Sequence, residues 1–208
     1  MSDRLRILLV GASGVLGRAV AAELSPRHDI VSAGSKTGDI RIDITDPASI
    51  ESGFKAAGPL DAVACAAGAV NFHPLSAIKP APLAQSSYGL GLANKVMGQV
   101  NLALAARDHL NDRGSITLIA GFLSGIGIAT GSSASMVNAA VEAFALAAAN
   151  EMPRGIRINA VSPGVFEESM VEYGPFFRGF EPVPVARAAR AFSRSIEGLE
   201  TGKTFPVV

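Results

Sequence analysis

The 208-residue sequence predicts an α/β domain built on a doubly wound parallel sheet of about seven strands, with helices on both faces. Three observations predict it. Short apolar runs alternate along the whole chain with longer segments of helical character, the pattern of strand–helix–strand units. The first apolar run, within residues 5–10, places Ile7, Leu8, Leu9 and Val10 at successive positions, as in a strand covered on both faces. A glycine-rich turn, Gly11-Ala-Ser-Gly-Val-Leu-Gly17, then separates that strand from the first helix.

That helix extends to about Leu24, where Ser25-Pro26 ends it. Residues 30–33 read as a second strand and residues 40–44 as a short third one. Asp46-Pro47 opens the next helix, an N-cap acid followed by proline at the first helical position. Residues 61–66 form strand four. A proline-rich loop, 74–82, precedes a long helix over about 84–109, and residues 114–120 form strand five. A flexible stretch, 121–133, leads into a second long helix, 133–151, which Pro153-Arg154-Gly155 breaks. Strand six follows at 156–161, the last helix at 185–197 and the last strand at 204–208. Between them, residues 165–184 carry Phe166, Tyr173, Phe176, Phe177 and Phe180. This segment reads either as a lid over an apolar cleft or as a long loop with its own packing. No internal repeat is visible, and residues 1–208 read as one domain.

Lys and Arg total 18, as do Asp and Glu, so nothing in the charge draws the chain to nucleic acid or to an anionic membrane. The single cysteine, Cys65, has no internal disulfide partner, and no residues stand at metal-ligand spacing. Apolar runs fall short of a signal-peptide core and of the roughly 18 residues of a membrane span. A soluble, cytoplasmic protein without a metal is the expectation.

The glycine turn carries the first functional signal. A glycine at a strand end permits a tight turn, and a backbone without side chains admits a pyrophosphate. The N-terminus of the following helix offers unpaired N–H groups and a partial positive charge. Gly11, Ser13, Gly14, Val15, Leu16 and Gly17 are therefore candidate contacts for a dinucleotide in a Rossmann-type domain. Domains that prefer NAD carry an acid about 20 residues further on, for the ribose 2′-hydroxyl. Here the tip of strand two reads Ala33-Gly34-Ser35-Lys36. A hydroxyl and a cation in place of the carboxylate predict preference for NADP(H) over NAD(H), with Ser35 and Lys36 as the determinants.

The order of landmarks resembles the short-chain dehydrogenase/reductase family over nearly the whole chain. Besides the glycine loop, these are Ile42-Asp43-Ile44-Thr45-Asp46, Cys65-Ala66-Ala67-Gly68 and Lys95-Val96-Met97-Gly98. The series continues with Ser132-Ser133-Ala134-Ser135-Met136, Asn159-Ala160-Val161-Ser162-Pro163-Gly164 and Thr201-Gly202. The resemblance implies that Asp43 and Ile44 lie by the adenine, Ala66, Ala67 and Gly68 by the adenosine ribose, and Pro163, Gly164 and Val165 beside the nicotinamide.

The family's chemistry uses a tyrosine with a lysine four residues later, a serine after strand five, and an asparagine in the preceding long helix. On the landmark spacing these positions fall on Ser132, Met136, Gly121 (or Ala120) and Lys95, so all four are changed. No Tyr-x-x-x-Lys occurs in the chain. An unassisted hydroxyl is a poorer acid than a phenol, and methionine carries no charge to favour phenolate. Lys95, Ser124, Ser132, Ser133 and Tyr173 are the remaining candidates for a different mechanism. Glu168 stands where the family often has a threonine bonded to the nicotinamide carboxamide.

Small residues along helices 84–109 and 133–151, Ala139, Ala140, Ala143, Ala147 and Ala148 among them, allow close helix approach. The resemblance implies a homodimer or homotetramer through these two helices. Two functional classes stay open on the sequence. One is an NADP(H)-dependent oxidoreductase with a non-standard or weak site for a small carbonyl or alcohol. The other is a non-catalytic NADP(H)-binding sensor or scaffold.

Overall fold

A computed structural model describes residues 4–208. Seven strands form one parallel sheet in the order β3-β2-β1-β4-β5-β6-β7. They are β1 (Arg6–Val10), β2 (Asp29–Gly34), β3 (Ile40–Arg41), β4 (Leu60–Cys65), β5 (Leu110–Ile119), β6 (Arg157–Pro163) and β7 (Thr204–Val207). The helices are α1 (Val15–Leu24), α2 (Pro47–Ala57), α3 (Gly98–His109), α4 (Ser132–Ala148), the short α5 (Met170–Tyr173) and α6 (Val185–Glu197). The doubly wound sheet expected from the sequence is therefore present. Strand order reverses between β1 and β4, and ligands of such sheets bind beyond the carboxyl ends of the strands at that point.

Each face of the sheet has its own core. Ile7 and Leu9 of β1 point with Val161 and Phe205 toward α1 and α6, where Val20, Leu24 and Phe192 bury. Leu8 and Val10 point the other way with Val63 and Ile116, onto Ile50 and Phe54 of α2, Leu102 and Ala106 of α3, and Val141 of α4. This is why β1 is apolar at every position from Ile7 to Val10. Asp46 caps α2 by accepting from the Ala48 N–H at 2.9 Å, and Pro47 stands at the first helical position as expected.

Two expected elements differ. The long helix over 84–109 is broken: a 3₁₀ turn holds Leu83–Gln85, a π-helix holds Gly91–Met97, and α3 proper starts only at Gly98. Strand β5 begins at Leu110, four residues before the expected start, and its register against β4 shifts between Leu60 and Ala62. Smaller shifts occur elsewhere, with α4 ending at Ala148 and β6 running on to Pro163. Among the described residues no helix is long and apolar enough to cross a membrane, and no group of three metal-ligating side chains occurs.

Candidate active site

The β1–α1 turn is built around glycines that nothing larger replaces. Gly11 has φ +84°, and a Cβ there would lie 2.8 Å from the Ala66 carbonyl at the end of β4. A Cβ on Gly17 would stand 2.1 Å from the Gly11 oxygen, so this helix can approach the turn only through glycine. Helix α1 has Gly14 at its N-cap, with no capping side chain and no acid in its first turn. Its leading N–H groups are thus left to an external acceptor.

Beyond this turn lies a groove of about 480 Å³ lined by Gly11, Ser13, Ser35, Lys36, Asp43 and Ile44, with Ala67, Gly68 and Asn94 on its far side. Lys36 is exposed and makes no hydrogen bond or ion pair with another described residue. Asp43 folds back on itself: its Oδ1 accepts from the Thr45 N–H at 2.9 Å and from Thr45 Oγ1 at 2.7 Å, which holds the carboxyl below its ordinary range. Asn94, which the sequence did not single out, fixes the β4 exit by accepting from the Ala69 N–H at 2.8 Å. The acid nearest the tip of β2, Asp39, is engaged with the Ser32 N–H and Oγ.

A second cavity of about 260 Å³ continues from the first across Ala67 and Gly68, which line both. Its floor holds Leu16, Ala66, Ala120, Gly121, Pro163, Gly164 and Val165. Its walls are Val70, Phe72, Phe122, Leu123, Phe166, Tyr173 and Phe177. Val15 faces neither cavity. The segment over 165–184 closes one side as an aromatic cluster: Phe72 stacks on Phe176 at 5.1 Å, and Phe122 meets Phe177 at 6.0 Å and Phe180 at 5.5 Å. The Glu168 carboxylate turns away from the cavity and accepts from the Val185 N–H, capping α6.

Of the candidate catalytic residues, Lys95 and Tyr173 meet in this cavity, and among its described lining residues they alone titrate. Lys95 leaves the π-helix nearly buried and donates to the Ala120 carbonyl at 2.8 Å and to Asn138 Oδ1 at 2.7 Å. Burial lowers its ammonium to about 8, against weaker opposing effects of Cys65 and Glu142. Burial likewise pushes the Cys65 thiol up to about 11, and desolvation raises the Tyr173 phenol.

Ser124 and Ser132 do not reach the cavity. Ser124 donates to Glu142 Oε1 at 2.8 Å, and the same oxygen accepts from Ser162 Oγ at 2.6 Å. Ser132 is exposed and shares a 3.1 Å hydrogen bond with the Tyr88 hydroxyl. Met136 is 40% exposed and points outward. Helix α4 instead presents Ala134 and Asn138 to the cavity, two residues beyond the positions expected from landmark spacing. The apolar stripe Ala134-Val137-Val141-Ala145, buried against the sheet, sets this phase. That stripe was available in the sequence as a signal for Asn138.

A family profile described as enoyl-(acyl carrier protein) reductase matches residues 11–197. The protein lin1944 from Listeria innocua is 45% identical, with a TM-score of 0.93 over 98% of this chain and 100% of that one. A small-chain dehydrogenase crystallised in complex with NADPH is 24% identical, with a TM-score of 0.84 over 99% of this chain and 97% of that one. A dehydrogenase/reductase from Sinorhizobium meliloti 1021 shares the fold at 20% identity and a TM-score of 0.78, over 100% of this chain and 94% of that one. No curated protein matches the sequence. The chain belongs to the short-chain dehydrogenase/reductase family, whose members bind a nicotinamide cofactor.

Proposed function

We propose that this protein is an NADP(H)-dependent oxidoreductase acting on a small, largely apolar carbonyl or alcohol through a non-standard active site. The observation that carries this is the continuity of the two cavities across Ala67 and Gly68. A polar groove with an unpaired cation leads into an apolar pocket that contains one buried ammonium. The uncapped start of α1 and the glycine-only turn fit a pyrophosphate, with Ser13, Gly14 and Leu16 around it. Ser35 and Lys36 would hold a 2′-phosphate, Asp43 and Ile44 the adenine, Ala66 to Gly68 the ribose, and Pro163 to Val165 the nicotinamide. Bound NADPH supplies a hydride.

The chain's own residues supply the rest. Phe72, Phe122, Tyr173 and Phe177 exclude water and bury the substrate's apolar body. Lys95 provides the cation that a carbonyl oxygen needs as negative charge develops on it. Asn138 and the Ala120 carbonyl keep that cation directed into the pocket.

The same proposal includes self-association through the two long helices. Met97 and Leu104 on one side, Met136 and Leu146 on the other, are large apolar residues left 40–63% exposed on their outer faces. Those faces suit a second copy, forming a homodimer or homotetramer.

The test is NADPH oxidation, followed at 340 nm, with a panel of small aliphatic and aromatic aldehydes and ketones, and NADP reduction with the matching alcohols. Turnover that favours apolar members and the phosphorylated cofactor supports the proposal. NADPH binding without turnover of any member would sink the enzymatic part and leave a nucleotide-binding protein.

A further inference from the structure

Lys95, Gly121, Ala134 and Asn138, which line the cleft, are fitted to one another. The stem of Lys95 crosses Gly68 so closely that a Cβ on that glycine would lie 2.8 Å from Lys95 Cγ. A Cβ on Gly121 would lie 2.8 Å from Asn138 Nδ2 and 3.4 Å from its Oδ1. The φ of Gly121 is 165°, extended backbone open to any residue. Space for Asn138 therefore excludes a side chain there. Ala134, one turn before Asn138, leaves the floor of the pocket open above the pair. Lys95 itself sits in the π-helix Gly91–Met97, a departure from α-helical spacing that recurs at functional sites. Random loss of a catalytic set would not leave two glycines, an alanine and an asparagine shaped around one lysine.

The hydrogen-bond inventory of that lysine is incomplete. An ammonium has three donors, and two are taken, by the Ala120 carbonyl and Asn138 Oδ1. Both acceptors are neutral, and no carboxylate pairs with it among the described residues. Of the titratable groups around it, Cys65 on β4 is a buried thiol, Glu142 lies one turn along α4 and is bonded to Ser124 and Ser162, and Tyr173 faces it across the pocket. The third N–H has only the pocket to serve.

We propose that Lys95 is the proton donor of the reaction, a catalytic residue whose ammonium is aimed by Asn138 into the space that Gly68, Gly121 and Ala134 leave clear. This rests on the oxidoreductase proposal above. In the reducing direction a hydride adds to the carbonyl carbon, the C=O π pair becomes an oxygen lone pair, and that oxygen takes a proton from Lys95 Nζ. The products are the alcohol, the oxidised cofactor and a neutral amine, which regains a proton from solvent. In the oxidising direction the neutral amine takes the hydroxyl proton. Burial brings the ammonium into the range where both forms are accessible near neutral pH.

Three measurements test this. In the free protein, lysines labelled with ¹³C at Cε give five signals, one per lysine of the sequence. The signal absent from Lys95→Met should titrate near 8. In turnover, Lys95→Met should keep NADPH binding and lose rate by about 10²–10⁴-fold, the usual loss when acid–base help is removed. Methionine removes a buried charge but leaves the Ala120 carbonyl and Asn138 Oδ1 without their donor, so NADPH binding, rather than the unfolding midpoint, reports that this variant is folded. Asn138→Asp places a carboxylate beside the ammonium, so it should move both the Lys95 titration and the alkaline limb of kcat/KM upward by a pH unit or so.

A Lys95 signal titrating at the reference lysine value of about 10.4 overturns the proposal. So does wild-type turnover that Lys95→Met leaves intact with an unchanged pH profile, or an alkaline limb that Asn138→Asp does not move. In those cases the oxidoreductase assignment stands. Absence of wild-type turnover with every substrate overturns that assignment, and this proposal with it.

Discussion

A single methyl group added at position 121 probes how tightly the cleft residues are fitted. In Gly121→Ala the new Cβ falls 2.8 Å from Asn138 Nδ2, inside any real contact distance, and Asn138 is buried and bonded to Lys95. Overpacking of this kind costs about 1–3 kcal/mol. Replacing glycine where φ suits alanine returns about 0.4–1 kcal/mol through the unfolded chain, leaving a net loss of up to about 2.6 kcal/mol. For a domain of this size each kcal/mol corresponds to about 2–4 °C, so the midpoint should fall by up to about 10 °C. In an Asn138→Ala background the obstruction is gone. The same methyl should then raise the midpoint by about 1–4 °C, a coupling of about 1–3 kcal/mol between the two sites. Calorimetry of the four proteins of this cycle provides the assay. A Gly121→Ala that stabilises the wild type, or that has the same effect in both backgrounds, would refute the mutual fit.

Three other expectations follow from the structure. Glu142→Ala strands the Ser124 and Ser162 hydroxyls that now share its Oε1; a stability loss of about 1–3 kcal/mol is expected, read by urea titration. Glu197 is held down to about 2 chiefly by the Arg27 guanidinium, with Ser193 and His28 also donating. A depressed carboxyl stabilises the fold above its unfolded value and loses that contribution as pH falls through the folded one, so the wild type should lose stability between about pH 5 and pH 2 in a way that Glu197→Gln does not. Combining Leu104→Glu with Leu146→Glu places charges on the outer faces of α3 and α4, where these leucines are 41% and 63% exposed. On the proposed self-association the wild type should elute as an oligomer and the variant as a monomer, and equal elution volumes would contradict association through these helices.

How far the sequence reaches differs between fold and site. The glycine turn, the continuous apolar strand Ile7–Val10 and the Asp46-Pro47 start are local signals, and each appears where it was expected. Each is fixed by a few neighbouring residues: a turn that only glycine can make, a strand covered on both faces, a cap. The break at 83–97 was not legible. The stretch has no internal proline after Pro82, and its π turn depends on tertiary anchorage of Asn94 to Ala69 and of Lys95 to Ala120 and Asn138.

The cleft-facing phase of α4 was half legible. Landmark spacing put Ser132 and Met136 in the site, whereas the buried stripe through Ala134, Val137 and Val141 carries Ala134 and Asn138 inward. Motif alignment fixes residues only to within a turn when the motif's own side chains are gone, while burial fixes helical phase directly. The roles of Glu142 and Glu168 were out of reach. Both depend on contacts 17–20 residues away in sequence, Ser162 and Val185, that only the folded sheet brings together.

Thermal unfolding of the purified protein and of Lys36→Ala with NADPH, NADP, NADH and NAD tests the assignment most directly. Ligand at about a hundredfold over its dissociation constant contributes about 2.7 kcal/mol, which for a domain of this size is a rise of about 5–10 °C. The wild type should show that rise with NADPH and NADP and much less with the other two, and Lys36→Ala should lose the difference. No rise with any of the four would contradict a working nucleotide groove at Gly11–Gly17 and Ser35–Lys36, and the catalytic roles built on it.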